Sequence, residues 1–226
     1  MEAQKEIVKL FTDEWMLKDI HKGQVFNFDG IVNDKYWNEE KNKRILFFLK
    51  EAHQGNRSRE EYGKDVFDLV GWLDGTVYKM WKKVAIWVAA IENTTISNIK
   101  EYNESEISKI EQELIRKIAV VNVKKSNGKT NSKWEELVDY AKEDKELLFK
   151  EIRMIKPKVI ICGNNVSLLN IVFDGGLDLD KLYKHHYLLH DEYIILDYYH
   201  PACHYPNFVN YYAVASLYQQ ALKNMK

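Results

Sequence analysis

Residues 118–123, Ile-Ala-Val-Val-Asn-Val, are apolar in an unbroken run except for one amide. Such a run, rich in β-branched side chains and without polar alternation, is how a strand reads when both its faces are buried in a parallel sheet. To either side of it, three more runs share the character: Ile45 to Leu49 (ILFFL), Val159 to Cys162 (VIIC) and Tyr193 to Leu196 (YIIL). Helical spacing fills the gaps between them. Asp65 to Asp74, Val77 to Ile91 and Ser105 to Lys117 lie in the first gap, and Trp134 to Ile155 in the second. Val166 to Val172 follows the third strand, and Asn210 to Lys223 closes the chain. With three prolines in 226 residues, long helices meet few breakers. Strand–helix alternation of this kind predicts an α/β fold, a three-layer α/β/α sandwich around a central four-stranded, mainly parallel sheet. Residues 1–226 read as one domain, with the aromatic-rich residues 1–40 as a helical cap on one end of the sheet. Residues 174–190 read as a loop with an extra strand.

Composition bounds the function. The 33 basic and 34 acidic residues leave a formal net charge of −1, so no bulk field draws the chain to a polyanion, and nucleic-acid binding would need a local patch. Two cysteines, Cys162 and Cys203, make neither a disulfide framework nor a four-cysteine cluster, and read as free thiols of an intracellular protein. The charged N-terminus carries no apolar signal segment, and no apolar run reaches a membrane-spanning length. The expectation is a cytoplasmic monomer with no membrane partner.

Ligands of open parallel sheets bind beyond the carboxyl ends of the strands. Glu51 and His53 come after the first strand. Asn122 lies near the end of the second, with Lys124 and Lys125 just beyond. Gly163-Asn164-Asn165 comes after the third, and His200-Pro201 after the fourth. Each alone has a bland reading: a solvated loop charge, structural glue, a strand-to-helix turn, a loop histidine. A carboxylate, an amide, a Gly-Asn turn and an imidazole at four matching ends are harder to dismiss together.

Four segments then carry a resemblance to the uracil-DNA glycosylase superfamily, covering Ile45 to the C-terminus: ILFFLKEAHQ, IAVVNVKKSNGK, IKPKVIICGNN and YIILDYYHPACHYPN. The resemblance implies a DNA glycosylase that flips a base out of double- or single-stranded DNA and cuts its N-glycosidic bond. It implies Glu51 as the acid that positions water or stabilises the cationic sugar, and His200 as donor to the departing base. Asn122 would read the base, with His53 beside it and Tyr62 or Phe67 stacking on it. Gly163 and Asn164 would touch a phosphate, Lys124 and Lys125 would form a basic edge with Lys129 and Lys133, and Arg57 and Arg59 would form another. Tyr205 or Phe208 would fill the hole left in the duplex. Lys50 and His53 stand where relatives carry Gly and Pro, which leaves the target base open among uracil, mismatched thymine, damaged bases and modified cytosines of viral DNA. No iron–sulfur cluster, other cofactor or metal is expected. His185, His186 and His190, with Cys203 and His204, lack the partner and helix of a metal motif. The rival reading is a non-catalytic nucleic-acid or nucleotide-binding module on the same fold.

Overall fold

The computed structural model describes residues 2–53, 65–128 and 132–225. Its strands are β1 (Phe26–Phe28), β2 (Gly30–Ile31), β3 (Ile45–His53), β4 (Val66–Asp68), β5 (Ile118–Gly128), β6 (Val159–Gly163), β7 (Tyr187–His190) and β8 (Tyr193–Tyr198). The helices are α1 (Glu2–Leu10), α2 (Asp34–Trp37), α3 (Leu69–Gly75), α4 (Met80–Glu92), α5 (Glu104–Lys109), α6 (Glu111–Arg116), α7 (Trp134–Glu143), α8 (Lys145–Ile155), α9 (Val166–Val172), α10 (Leu179–His185) and α11 (Asn207–Asn224). None is long and apolar enough to cross a membrane.

The four strands read from the sequence form the centre, in the order β5-β3-β6-β8, all parallel. Ile45 lies opposite both Ile118 and Val159, and Val159 opposite Ile194, so the strands start in one line. Alternation then sorts their side chains into two cores. Phe47, Leu49, Val120, Ile161 and Leu196 face α4 and α11, where Phe47 stacks on Trp87. Leu46, Phe48, Val121, Ile160 and Ile195 face α1, α7, α8 and α9. Burial on both faces is what the unbroken apolar runs encode, and it makes the three layers of the expected sandwich.

Short strands extend the centre beyond four. β1 and β2 run antiparallel to β5, β4 pairs with β1, and β7 runs antiparallel to β8. β7 is the extra strand expected within residues 174–190. The N-terminal residues depart from the expected end cap. Ile7, Phe11 and Trp15 pack on a sheet face with Phe26, and the chain then joins the sheet as β1 and β2. The apolar faces of these short elements meet partners distant in sequence, so local patterning does not reveal them.

The expected helix from Trp134 to Ile155 divides at Asp144. Its N–H bonds to the Tyr140 carbonyl and ends α7, while its carbonyl accepts from Leu148 and starts α8. The buried carboxylate meets His21 Nε2 at 2.8 Å and Lys18 Nζ at 2.8 Å. Burial pushes Asp144 up, but His21 and Lys18 outweigh it and hold the group below the ordinary carboxylate range. Residues 105–117 divide likewise at Ile110, and residues 65–74 begin as β4 before α3.

Candidate functional site

Chain order reverses around β3: the chain goes from β3 to β5 on one side, then returns to β6 on the other. The carboxyl ends of β3 and β6 therefore frame the topological switch point, where crevices open in such sheets. Register places the sequence candidates there. Asn122 lies opposite Leu49. Phe48 lies opposite Cys162, which carries Gly163 alongside Leu49, and Gly163 lies opposite Tyr198. Glu51 stands one pleat further out, opposite Lys124. Asn122 and Gly163 are thus two strands apart, about 10 Å at ordinary strand spacing.

His200 closes the row. A Cβ added at Gly163 would sit 3.5 Å from His200 Cδ2, 3.6 Å from Pro201 Cδ and 2.9 Å from Leu49 Cδ2. Glycine therefore fits best where the imidazole, the proline and the Leu49 side chain converge. The N–H of Ala202 donates to His200 Nδ1 at 3.2 Å, which leaves the proton of a neutral ring on Nε2. Burial, and then the charge of Lys50, lower the pKa of His200 and favour that neutral form.

Around this ring the loop is pinned by residues that local patterning misses. Buried Asn210 accepts from Tyr198 Oη at 3.1 Å and donates to the carbonyls of Tyr205 (2.9 Å) and Pro206 (3.1 Å). Lys83 donates to the Cys203 carbonyl. Exposed Tyr199 and Tyr205 pack with ring centroids 5.0 Å apart, and Phe208 is exposed at the start of α11. Both expected wedge candidates thus stand on the surface, Tyr205 on a braced loop and Phe208 on the first turn of the helix that follows it. A cavity of about 470 Å³ is lined by Asn164, His186, Asp197, Tyr198, Tyr199 and Leu217 among others, and neither wedge candidate lines it.

Glu51 is nearly enclosed. One carboxylate oxygen accepts from Ser132 Oγ at 2.6 Å and the other lies 3.5 Å from Lys124 Nζ. A Cβ at Gly128 would meet Glu51 Cγ at 2.6 Å, so the strand end beside the acid also depends on a glycine. Asn122 is buried. Its N–H and its Nδ2 both donate to Asp29 Oδ2, at 2.7 and 3.0 Å. Among the described residues no donor reaches its Oδ1.

The expected basic edge is corrected. Lys125 is fully buried between Asp29 (2.5 Å) and Glu151 (2.7 Å), with its ammonium 4.8 Å from the Trp15 ring centroid. Lys124 is buried against Glu136 (2.5 Å) and Glu51. Burial opposes both charges, but the carboxylates outweigh it and raise both pKa values. These cations are already spent inside the protein and cannot release counterions from a DNA phosphate. Asn164, expected at a phosphate, gives its N–H to the Tyr198 carbonyl at 2.8 Å. Its positive φ of 57° serves the turn, and the residue is exposed. Phe67 is half-buried on β4, two strands out from β5. Lys133 precedes α7 as an exposed residue. Tyr62, Arg57, Arg59, Lys129 and the His53 side chain lie outside the described residues.

Among the described residues no three His, Cys, Asp or Glu side chains converge as a metal site. No protein-family model matches the chain, and no curated protein matches it.

Proposed function

We propose that the protein is a DNA glycosylase of the uracil-DNA glycosylase type, hydrolysing the N-glycosidic bond of a flipped-out uracil or modified base to leave an abasic site. The observation that carries this reading is His200. Its ring sits at the switch point against Gly163, in the strand-end row of Asn122, with Nδ1 taken by the Ala202 N–H and Nε2 bearing the proton. As the glycosidic bond breaks, negative charge grows on the departing base and positive charge on the sugar. A neutral imidazole whose proton is on Nε2 donates to a base oxygen without being consumed as an acid. Asn122 offers an amide edge to the base, and the Glu51 carboxylate, fixed by Ser132 and Lys124, faces the charge on the sugar or orients the attacking water. Tyr205 and Phe208 stand exposed for the vacancy left by an extruded nucleotide, offsetting an unstacking cost of a few kcal/mol.

One observation favours a second reading, base binding without cleavage: Glu51 is enclosed and paired with Lys124. The test is incubation with duplex and single-stranded DNAs carrying uracil, mismatched thymine, damaged bases and phage-type modified cytosines, with alkali added afterwards to reveal abasic sites. Cleavage by the wild type, lost in His200→Ala and in Glu51→Ala, is expected. Full activity in both variants would remove these assignments. Base-selective binding without abasic sites would establish the second reading.

A further inference from the structure

We infer that Asp29 is the positioning residue of Asn122: it locks the side-chain amide in one of its two flip states and so sets the order in which donor and acceptor are offered to a base. The inference rests on the reading of Asn122 as the base-binding amide. A carboxamide turned by 180° exchanges its oxygen and nitrogen, and with them the complementary base edge. Asp29 removes that freedom. Its Oδ2 takes both the main-chain N–H and the Nδ2 of Asn122, at 2.7 and 3.0 Å. A flipped amide would press Oδ1 on the carboxylate, acceptor against acceptor, in a fully buried place. Oδ1 is left as the atom turned away from Asp29.

Asp29 is itself immobilised. Its Oδ1 accepts from Lys125 Nζ at 2.5 Å, and its carbonyl accepts from Gln4 Nε2 at 2.9 Å. Lys125 is shared with Glu151 at 2.7 Å. Burial pushes Glu151 well above its ordinary pKa, with Asp29 adding to the shift and Lys125 opposing it. Asp29→Asn is a usable test, since Glu151 still accepts from Lys125 Nζ at 2.7 Å. The new amide carries one acceptor oxygen for two partners and accommodates either flip state of Asn122.

Two readouts on the full chain separate this proposal from the one it rests on. In asparagine-labelled protein, the Asn122 side-chain amide protons are expected to exchange slowly in the wild type and at least about tenfold faster in Asp29→Asn, the worth of one buried hydrogen bond. In glycosylase assays the ratio of uracil to cytosine release is expected to fall by a similar factor in Asp29→Asn. Glu151→Gln disturbs the same cluster but leaves Asp29 on Asn122, and both readouts should hold. An unchanged amide in Asp29→Asn, or equal losses in both variants, would overturn the positioning role. Where Asp29→Asn does not fold, a rapidly exchanging wild-type amide does the same. Absence of base release in the wild type would instead sink the glycosylase reading, while a protected amide released by Asp29→Asn would still support the lock.

Discussion

Lys125→Met tests whether the lysines beside Asn122 serve DNA or the core. Methionine keeps most of the apolar stem that packs near Phe11 and Trp15 but removes the charge shared by Asp29 and Glu151. All three side chains are wholly buried, so the loss strands a carboxylate without its cation. Removing one partner of such a pair costs about 3–5 kcal/mol. Native stability is about 5–15 kcal/mol in total, so this is a large share. For a chain of this size it corresponds to a fall in Tm of roughly 6–20 °C. Urea unfolding monitored by tryptophan fluorescence measures it. DNA affinity of the folded variant should keep the wild-type salt slope, since no phosphate contact is removed. A destabilisation below about 1 kcal/mol, or a salt slope reduced by about one charge, would show that Lys125 is not a core cation.

The same structure sets three further outcomes. Because burial and Lys50 lower the His200 pKa, the neutral ring should persist on acidification: base release should hold down to pH 6.5 and fall only below it, and Lys50→Gln should move that fall to higher pH. An acid limb that does not move would separate it from His200. The raised pKa of Glu151 gives that group a contribution to stability that is complete below its ordinary value of 4.5 and lost as pH rises through the folded-state value, because the folded form favours the protonated group. Glu151→Gln should remove that decline from the stability–pH curve, and an unchanged slope would place the decline elsewhere. Gly163→Ala would set a methyl 2.9 Å from Leu49 Cδ2 in a packed site, so a stability loss of about 1–3 kcal/mol is expected together with weakened base release; a neutral result in both would show that the strands part freely there.

The amino-acid order alone specifies the parts of this protein that are written locally. Strands buried on both faces need unbroken apolar runs, and ILFFL, IAVVNV, VIIC and YIIL are such runs, so the parallel centre and its helical layers are legible. Knowing the strands also identifies the residues at their carboxyl ends, and that puts Glu51, Asn122, Gly163 and His200 at one edge. The folded chain decides what those groups are tied to. Asp29 and Lys125 are 96 residues apart, and Ser132 and Glu51 are 81 apart, so no periodicity links them. Lys124 and Lys125 look like a basic edge because a sequence records charge but not burial; only the packed chain shows their carboxylates. Local pattern carries hydrophobic periodicity, whereas the pairing of buried polar groups depends on which distant segments the fold brings together.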